Sequence, residues 1–268
     1  LGRPELVARD LQTFFAALPR QEPAMNDAST LRIAAIFFFL SALAIFAGVP
    51  FAAGLGGVGG PGPIDFGDGE RLLRLAELGA APVRVDLFAL LGPLFVLPAG
   101  MGLYALLRST SRLAQLGVAM WYVGMLFIVI QEALQLAFVS TLPGAYAAAD
   151  PATRAALEAV GGSLGYAIEV LAISGHLPYD LGSILLSLLM WRCPAVPKWI
   201  AGLGLAAATL ASASGVLSLA FPEVAWLSIG RPIGIFALIG WGVALGVVML
   251  REARQQSASS RSAVRAGV

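Results

Sequence analysis

One cysteine and one histidine in 268 residues exclude several kinds of chemistry at once. Cys193 has no second thiol to pair with, so the chain forms no internal disulfide and no cysteine-cluster metal site. His176 alone cannot supply both axial ligands of a bis-histidine haem within one subunit. Charge is scarce as well: 12% of residues are charged, against roughly 25% in soluble domains. The 17 basic and 16 acidic residues nearly cancel, leaving no basic excess to hold nucleic acid. HExxH, a Walker loop and a cysteine pair are missing too, so metalloprotease and nucleotide-binding chemistries lack their usual groups. The glycine run GLGGVGG follows an apolar span instead of a strand, which excludes a dinucleotide-binding turn.

What is abundant is apolar surface. With 58% hydrophobic residues and a mean hydropathy of +0.83, the chain reads as an all-α polytopic membrane protein, a bundle of six transmembrane helices with short external helices. Residues 1–30 resemble neither a signal peptide nor a span and are expected to form a cytoplasmic extension, with Met25 as an alternative natural start. The membrane domain covers 31–250. Its spans are Arg32 to about Ala53, Leu87 to Leu107, about Leu113 to Val139, Leu164 to Trp191, Trp199 to Phe221 and Pro232 to Leu250. Pro93 and Pro98 predict a kink in the second.

Between the spans the turn chemistry is informative. A Gly- and Pro-rich linker, 54–69, leads into a short amphipathic surface helix from about Glu70 to Leu78. Asp150 as N-cap and Pro151 at the first helical position start a short extramembrane helix that Gly161 and Gly162 are expected to end. The basic, Ser-rich tail, 251–268, is expected to be disordered. Small residues on the last two spans predict close packing of the two through Gly202, Ala206, Gly242 and Gly246, with homodimerisation through these glycine-rich helices as the alternative use.

Basic residues orient the chain. With both termini in the cytoplasm, that side holds twelve, while Arg71, Arg74, Arg84, Arg154 and Arg231 lie outside. The expected location is therefore the plasma membrane, multi-pass, N-in and C-in.

The fourth span is the unusual one. It is long enough to cross a bilayer yet carries Glu169, His176, Tyr179 and Asp180, and 169, 176 and 180 fall on one helical stripe. Gln131, Glu132 and Gln135 interrupt the third span near its far end. Ionisable groups at such depths cost several kcal/mol unless they face a bundle interior, a partner or water. Glu132, Gln135, Glu169, His176, Tyr179 and Asp180 are thus the candidate ligand-binding residues, and Glu132, Glu169, His176 and Asp180 are expected to line one internal polar cavity. The bland reading gives them only a structural network that fixes helix register. No catalytic residue is assigned, and the residues leave any metal or other cofactor unnamed. The expected function is non-enzymatic: binding or carrying a small lipophilic or cationic ligand, or scaffolding partners, among membrane lipids. The alternative is an intramembrane metal-dependent enzyme using the Glu/His/Asp cluster.

The stretches LYALLRSTSRLAQLG, DPATRAALEA, GHLPYDLGSILL and WRCPAVPKWIAGLGLAAATL, in this order after a long first loop, are similar to a bacterial six-span family, domain of unknown function 4386. The most specific parts are Asp150, Pro151 and Ala152 at the helix start, and Arg192, Pro197, Lys198 and Gly202 at the exit of the fourth span. Cys193 and Pro194 stand where that family's pattern has serine and glycine. The resemblance, over about 30–250, implies fold and membrane location and carries no activity.

Overall fold

A computed structural model describes residues 27–54, 66–221 and 224–265; the N-terminal extension lies outside them, apart from its last residues. Among the described residues the chain forms eight helical segments and no strand. They are α1 (Asp27–Gly54), α2 (Gly69–Glu77), α3 (Ala81–Val96), α4 (Ala99–Leu107), α5 (Leu113–Ala148), α6 (Pro151–Met190), α7 (Lys198–Ala220) and α8 (Ala225–Arg265). Segments α3 and α4 form one span, broken at Leu97 and Pro98, where the missing proline N–H opens the helix as expected. Six helices are long and apolar enough to cross a membrane.

The spans form a closed ring in chain order. Helix α1 packs on α3 and α4, that pair on α5, then α5 on α6, α6 on α7 and α7 on α8, and α8 returns to α1. Apolar side chains such as Ile36, Leu43, Val123, Leu177 and Ile233 point outward toward lipid. The ring is plugged toward the end that carries both described termini. There Leu103, Trp121, Leu186, Trp241, Leu245 and Met249 are almost fully buried in one core. Toward the α2 end it stays open.

Helices α5 and α6, 36 and 40 residues long, extend about 54 and 60 Å, well beyond a hydrocarbon layer of about 30 Å. The excess projects at the α2 end as a helical hairpin with its own small core, made of Phe66, Leu72, Val139, Leu142, Tyr146 and Ile168. Asp68 caps α2 by accepting from the Glu70 and Arg71 amides at 3.0 and 3.4 Å. Gly79, at φ +60°, then turns the chain into α3 in a conformation that other residues rarely adopt.

Asp150 caps α6 as expected, accepting from the Ala152 and Thr153 amides at 2.9 Å. These bonds, the Thr153 amide first, hold the carboxyl below the usual aspartate range. A depressed folded value means that the cap's contribution is complete above the unfolded carboxylate pKa and is lost as pH falls through the folded one. Protection of the Ala152 and Thr153 amides, taken relative to their intrinsic exchange rates at each pH, should therefore fall in acid, and Asp150→Ala should show that lower protection already at neutral pH.

Three expectations are corrected. Helix α6 does not end at Gly161 and Gly162 but continues to Met190. Gly161 is small for a neighbour's sake, since a Cβ there would collide with the Phe66 carbonyl. The basic tail is helical through Arg265, with Ala253 fully buried and Arg32 donating to Ser257 Oγ at 2.8 Å. Finally, Gly242 and Gly246 do not meet α7: Cβ atoms there would lie 2.9 Å from the Phe38 ring and 3.1 Å from the Phe39 ring, so both glycines seat α1. Gly202 abuts Trp191 and Ala206 is exposed, while α7 and α8 meet through Gly204, Ala211, Gly230 and Gly234. Gly242→Leu should consequently lower the melting temperature, and adding Phe38→Ala should recover part of the loss. Absence of rescue by Phe38→Ala would contradict this pairing.

Candidate functional site

Close contact of α5 with α6 sets the site's register. A Cβ at Gly182 would lie 2.7 Å from the Trp121 amide nitrogen and 2.8 Å from the Gly117 carbonyl; at Gly175 it would lie 2.9 Å from Phe127 Cβ. Gly124 meets the Tyr179 backbone in the same way. With Gly175 and Gly182 turned to α5, the neighbouring stripe Glu169, Ala172 and His176 is left facing the interior of the ring, where α5 presents Met125, Ile128, Glu132 and Gln135.

The interior consists of two joined chambers. The deeper one, about 240 Å³, is walled by apolar groups including Phe38, Ile45, Val96, Met125, Leu238 and Trp241. The outer one, about 330 Å³, is ringed by Gln131, Glu132, Gln135, Glu169, His176 and Arg231. Glu132, His176, Ile235 and Phe236 line both, so the chambers meet there. Counting about twenty residues up from the plugged end places Glu132, Glu169 and Arg231 near the far edge of the hydrocarbon and His176 several ångströms inside it.

The six candidate residues separate accordingly. Glu132, Gln135, Glu169 and His176 share the outer chamber, and Tyr179 joins Glu132 and His176 at the deeper one. Tyr179 packs its ring 5.8 Å from that of Trp121 and edge-on to His176. Asp180 departs from the single-cavity expectation. It is buried against α7, where Ser212 Oγ donates to its Oδ2 at 3.2 Å, and it lines a separate crevice of about 20 Å³ with His176 and Arg231.

Two polar groups beside the outer chamber were not anticipated. Asp86 on α3 is buried and accepts from Gln135 Nε2 at 3.0 Å, which links α3 to α5. Arg231 on α8 stands as the cationic neighbour of both Asp180 and Glu169. Each lies at the end of its span, where a charge ordinarily hydrates. The usable signal was their depth, which matches that of Glu132.

Several buried polar atoms have no hydrogen-bond partner among the described residues: Glu132 Oε2, Asp86 Oδ2, His176 Nδ1 and Asp180 Oδ1. Such atoms in a low-dielectric interior are costly. Among the described residues no three His, Cys, Asp or Glu side chains converge as metal ligands, so the residues do not fit the metal centre of the enzyme alternative.

The geometry is that of a multi-pass membrane protein with an internal, polar-mouthed cavity. The profile of the family described as Domain of unknown function (DUF4386) matches residues 33–251, and the chain belongs to that family. No curated protein and no solved structure matches it.

Proposed function

We propose that this protein is a non-enzymatic receptor or carrier, which binds a small amphiphile with an apolar body and a cationic head in the cavity inside its helix ring. We further place it in the plasma membrane with both termini cytoplasmic, so that the cavity opens outward; the excess of basic residues at the plugged end supports this orientation.

The observation that carries the reading is the junction of an apolar chamber with a polar one at Glu132 and His176. Their volumes, about 240 and 330 Å³, lie just below and at the lower end of the roughly 300–1,000 Å³ of ligand pockets. Charge decides the sign of the head. Arg231 is the cationic neighbour of Asp180 and Glu169, while the charged neighbour of Glu132 is another carboxylate, Asp86. Two neighbouring carboxylates without a cation repel one another, and a ligand cation relieves them.

Protein in lipid nanodiscs should bind a decyl-chain cation saturably and above the level of empty nanodiscs. Glu132→Gln, which keeps shape and removes charge, should weaken that binding at least tenfold while leaving decanol unaffected. Equal binding to empty discs, or to the Gln variant, would refute the reading.

A further inference from the structure

We infer that the cavity selects a head group that donates N–H bonds, a protonated primary or secondary amine, over a quaternary ammonium of the same chain length. The inference rests on the reading above and deepens it.

The argument comes from the two orphaned atoms at the junction. Glu132 Oε2 and His176 Nδ1 are both buried without a partner, and both side chains line both chambers. A carboxylate oxygen only accepts, and a neutral imidazole protonated on Nε2 offers a lone pair at Nδ1. One ammonium with two or more N–H groups, held between α5 and α6, would satisfy both once the two side chains turn these atoms toward it. Its charge also answers the Asp86–Glu132 repulsion. A trimethylammonium head answers the charge alone and leaves both acceptors desolvated and unpaired, the situation in which discrimination between ligands is large. Recognition of quaternary heads ordinarily relies on an aromatic cage. The aromatic residues of the deeper chamber, Phe38, Tyr179, Phe236 and Trp241, stand among mainly aliphatic neighbours, with Ser41, Glu132 and His176 as the polar ones, and this lining suits the chain of the ligand.

The test compares decylamine, decyltrimethylammonium and decanol on nanodisc-embedded protein. Only binding removed by Ala89→Phe, which fills the deeper chamber, is counted. Decylamine should bind at least tenfold tighter than decyltrimethylammonium, and that preference should fall at least fivefold in Glu132→Gln and in His176→Phe. Equal binding of the two cations, both blocked by Ala89→Phe, would overturn this inference and leave the receptor reading standing. If no component of any probe responds to Ala89→Phe, the receptor reading itself fails.

Discussion

Gly182→Leu should be among the most damaging single substitutions in the chain, because it drives a side chain into the backbone of α5. The nearest atoms to a Cβ at this position are the Trp121 amide nitrogen at 2.7 Å and the Gly117 carbonyl at 2.8 Å, and a main chain cannot rotate away as a side chain can. Overpacking costs typically about 1–3 kcal/mol when side chains can adjust; here the helices must separate, and the upper end or more is expected. Gly240→Leu supplies the control, since a Cβ there meets nothing within 4 Å. Size-exclusion profiles after heating should show Gly182→Leu lost from the monodisperse peak many degrees early and Gly240→Leu unchanged. A Gly182→Leu protein as heat-stable as wild type would mean that α5 and α6 do not meet at this seam.

The second large effect is expected at Arg231. Its guanidinium is the cationic neighbour of Asp180 and Glu169, and Asp180 is buried with one carboxylate oxygen already unpartnered among the described residues. Arg231→Gln leaves that carboxylate uncompensated, a loss on the order of 1–3 kcal/mol. Asp180→Asn added to the same chain should restore most of it, because the amide still accepts from Ser212 and carries no charge. Thermal unfolding of the two single variants and the double variant gives the coupling directly. Additive losses would show that the two charges do not interact.

The sequence made some of this legible and hid the rest for physical reasons. The six spans, the kink at Pro98, the surface helix and the Asp150 cap all follow from hydropathy and capping chemistry, which are local. The lengths of α5 and α6 do not, because hydropathy reports where lipid lies and not where a helix stops. Glycines misled for a related reason: their meaning depends on what approaches them. The seven-residue spacing of Gly117 and Gly124 against Gly175 and Gly182 was present in the sequence, but nothing local says which helix each pair admits. Glu132 and His176 were conspicuous as polar groups in apolar runs. Asp86 and Arg231 passed as flanking charges. Asp180 does lie on the stripe with Glu169 and His176, but it sits about 16 Å below Glu169 along the helix, where α7 has closed over the face that is open above.

Closure of the ring by α8 against α1 has a consequence for how the protein is made. A ribosome delivers spans in order, and α8 follows the other five. Until it inserts, α1 lacks the neighbour that Gly242 and Gly246 provide, Asp180 and Glu169 lack Arg231, and the wall formed by Leu238 and Trp241 does not exist. A nascent chain of five spans is thus an open trough whose acidic residues face lipid. Quality-control proteases that survey the bilayer for exposed charge would distinguish it from the finished ring, and the internal cavity comes into being only when the sixth span inserts.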